Sequence, residues 1–145
     1  MTDDYHNDDT AETSQRTPPH SVEAEQSVLG ALMLDERAWE SVSETLRDND
    51  FYRHDHRLIF RAISHLSSVE QAIDVVTVAE ELEERGQLES INGGSYLARL
   101  VDMTPSIENC DAYAEIVRER SQQRRLIEAA SDIMQKAYEP GGDET

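Results

Sequence analysis

The chain has 145 residues, which is enough for one ordinary domain that buries its own core without a metal ion or disulfide bonds. Thirteen basic residues stand against 31 acidic residues, and the net charge of −18 has the wrong sign for a domain that neutralises a phosphate backbone. We therefore expect little or no direct nucleic-acid binding. The single cysteine, Cys110, excludes a disulfide framework within the chain and is interpreted as a small core residue in a reducing compartment.

The N-terminus predicts neither export nor insertion into a membrane. It lacks a basic region followed by an apolar run, and no later segment approaches the ~20 apolar residues of a membrane span. We expect a cytoplasmic protein that does not bind a membrane. Residues 1–17 contain five acidic residues and almost no large apolar side chain, so this composition predicts a disordered acidic tail.

Residues 18–105 predict a globular, all-α head of about five to six helices. Ser21 is an N-cap candidate for the first helix, and Glu23 and Glu25 follow in its first turn, where the helix dipole favours anions. Asp35 is the cap candidate for the second helix. No segment shows the alternation of a strand, and the apolar side chains recur at helical spacing. They are Val22, Val28, Leu29, Leu32 and Met33 in the first helix, Trp39, Val42 and Leu46 in the second, and Leu58, Ile59, Ala62, Ile63 and Leu66 in the third.

The fourth and fifth helices have recognisable ends. Asp74 is the cap candidate for the fourth helix, and Gly86 ends it. The fifth helix follows Gly93–Gly94 and ends before Pro105, because the residue before a proline is pushed out of the helical region. The glycine pair is interpreted as a joint rather than a phosphate loop, since no strand precedes it and the single lysine, Lys136, follows no glycine loop.

The segment 106–139 predicts one long helix that projects from the head. Ile107–Tyr138 contains no glycine or proline, and 32 helical residues span roughly 48 Å at 1.5 Å per residue. The stretch Arg118–Arg125, RERSQQRR, is polar all round, which predicts the point where the helix leaves the head and meets water. Its four arginines are the chain's basic cluster. In so acidic a chain, they suit an acidic protein partner or a neighbouring subunit better than nucleic acid.

An apolar stripe resumes beyond this polar stretch, and the chain has no further element to cover it. Residues 140–145 begin with Pro140 and two glycines and predict a turn. We therefore expect the long helix to be the first arm of a helical hairpin, with the chain ending before the second arm. Two copies are expected to pair through the stripe, because a two-fold contact presents the same patch from both sides. The stripe residues are Leu126, Ile127, Ala130, Ile133 and Met134.

Patterns for catalysis or metal binding are weak. His54, His56 and His65 invite a metal site, but residues two apart do not share a helix face and no cysteine or further histidine completes the usual ligand spacing. The glutamate-rich run around Glu81 is interpreted as a solvated face, with Glu81 placed to pair with Arg85 one turn later. No nucleophile elbow, dinucleotide fingerprint or Walker motif is present. We predict no catalytic, cofactor or metal residues in this chain.

Five ordered stretches carry a family resemblance. They are PPHSVEAEQSVLGALML (18–34), DFYRHDHRLIF (50–60), DVVTVAEELEERGQL (74–88), GGSYLARL (93–100) and YAEIVRERSQQRRLIEAA (113–130). Together they resemble the N-terminal domain of bacterial replicative DNA helicases, the DnaB family, over about residues 18–139. The chain departs from the family pattern in two loops. The turn SSVEQAI (67–73) lacks the common glycine and proline, and Asn92 stands where the family usually has its first glycine.

The resemblance implies an all-helical head and a helical hairpin that pairs subunits, with a hexameric ring in the complete protein. It also implies docking of a helicase loader and of primase, through the C-terminal helicase-binding domain of primase, during DNA replication. ATP and Mg²⁺ would belong to a RecA-like ATPase domain C-terminal to this chain. The expected function is therefore non-catalytic assembly and partner docking. The alternatives are a free-standing helical adaptor and a small acidic metal-dependent hydrolase.

For partner docking, an exposed apolar stripe and an aromatic residue suit a helical partner. We expect Ile127, Ile133 and Tyr96 to take part, with Glu23 as a polar contributor. The alternative for the first three is burial in the head or in the contact between subunits. The alternative for Glu23 is a local interaction with its own helix dipole.

Overall fold

The structure, a computed structural model, describes residues 16–140. All regular secondary structure in this range is helical, which confirms the predicted all-α class. The predictions for the tail (1–17) and the turn (140–145) lie outside the described residues, apart from Arg16, Thr17 and Pro140. The α-helices are α1 (Val22–Leu34), α2 (Trp39–Thr45), α3 (His54–Ser68), α4 (Val75–Glu84), α5 (Gly94–Met103) and α6 (Cys110–Tyr138), with 3₁₀ helices at Glu36–Ala38, Asp48–Asp50 and Glu89–Ile91.

Helix α1 forms the centre of the head. Ser21 caps it as predicted, since the Ser21 side chain accepts a hydrogen bond from the Ala24 N–H at 3.2 Å. Nine of its 13 residues are buried, so α1 is covered around most of its circumference and contacts α3, α5 and α6. Gly30 permits the close approach of α5, because a Cβ atom at this position would overlap the Leu100 carbonyl oxygen and Thr104 Oγ1.

The helices begin and end at the predicted capping residues, with one difference. Asp35 caps the 3₁₀ helix Glu36–Ala38, which leads into α2, rather than α2 itself. Asp74 caps α4 with both hydrogen bonds of a capping box. Gly86 follows α4 at φ +70° and Gly93 precedes α5 at φ +78°, a region of backbone conformation that glycine adopts without steric cost. The glycine pair is therefore a joint that turns α5 back onto the head.

The two loops that depart from the family pattern contain residues with left-handed backbone conformations. Glu70 has φ +58° and Asn92 has φ +68°. Asparagine visits this region more readily than most residues, because its short polar side chain bonds locally, whereas glutamate has no such compensation. The left-handed backbone conformation is therefore tolerated at Asn92, whereas it is strained at Glu70.

Helix α6 begins at Cys110, four residues later than the start of the predicted segment 106–139. Residues 107–109 form a turn instead, in which the Cys110 N–H donates to the Ile107 carbonyl at 3.1 Å. The first part of α6 packs against α1 and α2, while every residue from Arg125 to Pro140 is exposed. No helix within residues 16–140 is long and apolar enough to cross a membrane.

Candidate assembly and partner-docking surface

The final 13 residues of α6 project from the head as a single helix. They extend about 20 Å at 1.5 Å per residue. The predicted stripe lies on this projecting arm and faces solvent: Leu126 and Ile133 are 72% and 70% exposed, and Ile127 and Met134 are 50% and 57% exposed. Ala130 is exposed between them. Since large apolar side chains are rarely left in water in a contiguous row, this arm is a candidate contact surface.

A groove of about 800 Å³ lies beside the stripe, between α6 and the extended segment 16–19. Ile127 and Met134 line one side of it, and Pro18 and Pro19 line the other. Ile133, by contrast, is not among the groove residues. The structure therefore places Ile127 and Ile133 on the same arm but in different surroundings.

The polar stretch Arg118–Arg125 does not mark the point where the helix leaves the head, so that prediction is wrong. Arg124 is half-buried and donates to the carbonyl oxygens of Pro19 at 2.8 Å and Asp50 at 2.7 Å. Arg118 donates to the Thr45 carbonyl at 2.8 Å. Burial lowers the pKa of the Arg124 guanidinium from its ordinary value. The basic cluster thus docks the helix on the head, and the helix leaves the head only after Arg125.

Asp50 is the main acceptor for this docking. Its carboxylate is 1% exposed and accepts hydrogen bonds at 2.7 Å from three donors: the Ser121 hydroxyl, the Arg125 guanidinium and the Arg47 N–H. Ser121 is itself 2% exposed. This contact was not predicted from the sequence. The spacing of apolar residues does not show whether the polar side chains of a helix are hydrogen-bonded to backbone carbonyls and to a buried carboxylate elsewhere in the chain.

Tyr96 is not part of the exposed surface, which agrees with the alternative of burial in the head; a direct role in partner contact is still a prediction. Its side chain lies in the head with 5% exposure, and its hydroxyl is bonded to His56 Nε2 at 2.6 Å and Gln26 Nε2 at 3.2 Å. Burial raises the pKa of Tyr96 above its ordinary value. The guanidinium carbons of Arg53 and Arg99 lie 5.5 and 5.9 Å from the centre of its ring. Tyr96 therefore shapes the head around α5.

Tyr96 belongs to a buried chain of hydrogen bonds that ends at Glu25. His56 is fully buried, and its Nδ1 lies 2.7 Å from Glu25 Oε1. Since a carboxylate only accepts, Nδ1–H donates to Glu25, Nε2 accepts from the Tyr96 hydroxyl, and the Tyr96 oxygen accepts from Gln26. Each polar group has a partner in this arrangement. The order carboxylate–imidazole–hydroxyl resembles that of a nucleophilic triad, but burial of all three groups gives it a structural role.

Glu23 is exposed, unlike its neighbour Glu25. It lies at the start of α1 and lines a groove of about 390 Å³ with Met103, Tyr113 and Ile116. This groove does not include any residue of the stripe. The four residues predicted to bind a partner are therefore not brought together: Tyr96 is internal, Glu23 lines one groove, Ile127 lines another, and Ile133 is on the arm.

The histidines considered as metal ligands have separate surroundings. His56 is committed to Glu25 and Tyr96, His54 is exposed at the start of α3, and His65 Nε2 lies 4.0 Å from Glu81. In residues 16–140, no group of three or more His, Cys, Asp or Glu side chains is arranged to hold a metal ion. Cys110 is buried in the core, and this burial raises the pKa of its thiol to about 11.

The fold and the exposed stripe together define a helical domain that consists of a head, a docked helix and a projecting arm. The chain belongs to the DnaB-like helicase N terminal domain family, which matches residues 17–119. The resemblance noted from the sequence is thereby confirmed.

Known proteins are similar over most of this chain. It is 47% identical over 124 residues to the replicative DNA helicase DnaB of Buchnera aphidicola subsp. Baizongia pistaciae (strain Bp), a match that covers 86% of this chain and 27% of the relative. The crystal structure of the N-terminal domain of DnaB helicase from Mycobacterium tuberculosis aligns with a TM-score of 0.83 at 43% identity, covering 84% of this chain and 87% of that one.

A second, more distant structure shares the fold. It is the N-terminal domain of DnaB helicase from Helicobacter pylori, described together with its interactions with primase. It aligns with a TM-score of 0.71 at 24% identity over 81% of this chain and 91% of that one. The chain spans about a quarter of the length of the curated helicases it matches.

Proposed function

We propose that this chain is the assembly and partner-docking part of a replicative DNA helicase. It pairs subunits through the stripe and docks primase and a helicase loader during DNA replication. The observation that carries the proposal is the row of exposed apolar side chains on an arm that the head leaves uncovered. The family and the high-identity relatives, which are replicative helicases, supply the biological setting.

Pairing of two arms is supported by the physical chemistry of the stripe. Burial of one large aliphatic side chain contributes about 1.5–3 kcal/mol, so mutual burial of several such side chains favours association. A two-fold contact needs only one self-complementary patch, which a single helical arm provides. In the parent protein, such pairs would build the hexameric ring.

Docking of primase is supported by the groove beside the stripe and by the H. pylori relative, which interacts with primase. An amphipathic helix of a partner would place its apolar face on Ile127 in this groove, with Ile133 further along the arm. Glu23 would contribute through its separate groove. Tyr96 would act indirectly, by holding the shape of the head. The loader would use the same domain.

The parent protein would bind ATP and Mg²⁺ in a separate ATPase domain, and this chain would hydrolyse no ATP and unwind no duplex by itself. The high negative charge of the chain favours protein partners over DNA. We also propose that the chain acts in the cytoplasm. Family membership argues against both a free-standing adaptor and a metal-dependent hydrolase.

Calorimetry with the C-terminal helicase-binding domain of the cognate primase tests the docking role. Ile127→Ala and Ile133→Ala should each weaken binding by about 1–3 kcal/mol, the usual cost of truncating an anchoring side chain. Val76→Ala is the matched control, because Val76 is 65% exposed on α4 and lies outside the stripe. If both isoleucine variants are folded and bind like the wild type, primase docks elsewhere.

A further inference from the structure

The groove beside the stripe has two walls that come from distant parts of the chain. Ile127 and Met134 of α6 form one wall, and Pro18 and Pro19 form the other, with Arg124 also lining the groove. The proline wall belongs to no helix. Since prolines have no N–H, they cannot donate a hydrogen bond to the head. The position of this wall must therefore be fixed by a donor from another part of the molecule.

One guanidinium group supplies that donor. Arg124 donates from Nη1 to the Pro19 carbonyl at 2.8 Å and from Nη2 to the Asp50 carbonyl at 2.7 Å. Within residues 16–140, the bond to Pro19 is the only hydrogen bond that joins residues 16–19 to a helix. Because the guanidinium is a planar fork, its two ends hold two backbone segments in a fixed relation. Arg124 thus connects the proline wall, the head and α6.

Tyr52 takes part in the same arrangement. The Arg124 Cζ atom lies 5.5 Å from the centre of the Tyr52 ring, a distance at which a cation is attracted to an aromatic face. The same ring stacks on the His20 imidazole, with the ring centres 4.1 Å apart. His20 therefore fixes where the segment leaves the head, whereas Arg124 fixes how the prolines lie against α6.

We propose that Arg124 is a positioning residue for partner docking: it holds Pro18 and Pro19 against α6 and so makes the two prolines part of the docking surface. The inference rests on the proposed function, in which an amphipathic helix of primase occupies this groove. An apolar side chain of that helix on Ile127 would be covered by the prolines on its other side. Burial from two sides removes more apolar area from water than contact with the arm alone.

Paramagnetic broadening of NMR signals tests the clamp without any partner. A nitroxide is attached at Gln135→Cys, which is exposed on α6 beside Met134 and does not line the groove. The reporter is the N–H signal of Thr17, a groove residue next to the prolines. We expect the nitroxide to broaden this signal strongly in the otherwise wild-type chain and much less in Arg124→Gln, because glutamine is too short to reach both carbonyls.

Arg120→Gln is the matched control, since it removes the same charge one turn earlier on α6 and outside the groove. It should leave the broadening of Thr17 unchanged. Cys110 should react slowly with the label, because it is buried and its thiol pKa is raised to about 11. Circular dichroism verifies that all variants are folded.

Two results overturn the clamp. One is broadening of Thr17 that is as strong in Arg124→Gln as in the wild-type background. The other is broadening that arises only when the nitroxide and the isotope label are on different copies of the chain, because the prolines would then lie against the arm of another molecule.

Calorimetry with the same primase domain, on chains without nitroxide, tests the docking role. Arg124→Gln should weaken binding about tenfold although Ile127 is unchanged, and Arg120→Gln should bind like the wild type. Pro18→Glu keeps the Pro19 carbonyl but places a charge on the wall. It should weaken binding while the broadening of Thr17 persists.

The two measurements separate this inference from the proposed function. If the wild type binds primase and Arg124→Gln binds equally well, Arg124 does not position the docking surface and the proposal is overturned. If the wild type does not bind primase at all, the proposed docking function fails and the role of Arg124 in docking fails with it. The broadening of Thr17 would still show whether Arg124 holds the proline wall.

Discussion

Glu25 on α1 and His56 on α3 are 31 residues apart in the chain, yet Glu25 Oε1 lies 2.7 Å from His56 Nδ1 in the centre of the head. Glu25 also accepts the Tyr52 N–H at 2.6 Å, directly before α3. Helix α3 has no side-chain cap of its own, so the carboxylate of Glu25 satisfies this end of a neighbouring helix. From its position in the first turn of α1, Glu25 is predicted to interact only with the dipole of its own helix. In the structure, it makes a tertiary contact with α3.

Removal of this carboxylate should destabilise the head. Glu25→Ala leaves the buried His56 Nδ1–H and the partly buried Tyr52 N–H without an acceptor, and we expect a loss of about 2–4 kcal/mol in the free energy of unfolding. Glu23→Ala, two residues earlier on the same helix but exposed, should change it by no more than about 0.5 kcal/mol. Urea denaturation measures both values, and equal effects of the two substitutions would contradict the assigned role of Glu25.

Gly30→Ala should also destabilise the head, by about 1–3 kcal/mol, because the added methyl group overlaps the Leu100 backbone and Thr104 Oγ1 and must push α5 away from α1. Gly94→Ala is the control, since its added methyl group meets no atom within 4 Å. Thermal unfolding of the two variants tests this packing. A Gly30→Ala chain as stable as the wild type would show that α1 and α5 do not approach this closely.

Glu70→Gly should stabilise the chain by about 0.5–1 kcal/mol. A left-handed conformation costs roughly 1–2 kcal/mol for a residue with a Cβ atom, and the entropy cost of glycine offsets part of the gain. Glu80→Gly, at an exposed position inside α4, should have the opposite sign. Denaturant midpoints report the sign directly, and destabilisation by Glu70→Gly would refute a strained turn.

Local features of the fold were predictable from the sequence because their causes are local. The caps at Ser21 and Asp74 and the glycine stop at Gly86 each depend on residues within one helical turn. The apolar head positions listed for the first three helices, except Val22, likewise lie in the core or pack against it. The exposure of the stripe followed from the same periodicity, although its role in pairing is still a prediction.

The missed features depend on residues distant in the chain. Asp50 meets Ser121 and Arg125 across more than 70 residues, so a polar helical stretch that looks solvated is in fact docked. Tyr96 was expected either to contact a partner or to be buried in the head, and the sequence did not show that a buried histidine 40 residues away is bonded to its hydroxyl. Spacing along one helix identifies an apolar face, but it does not identify the polar group that a different helix supplies.

Sedimentation equilibrium of the isolated chain over a concentration series tests the central claim, that the stripe on the arm is a contact surface between subunits. The wild type should approach twice the mass of one chain as concentration rises, whereas Leu126→Glu/Ile133→Glu should remain monomeric, because burial of a charge in the contact is unfavourable. Val76→Glu, which places the same charge on α4, should pair like the wild type. A wild type that is monomeric at every concentration, or a stripe variant that pairs as well as the wild type, would contradict the account.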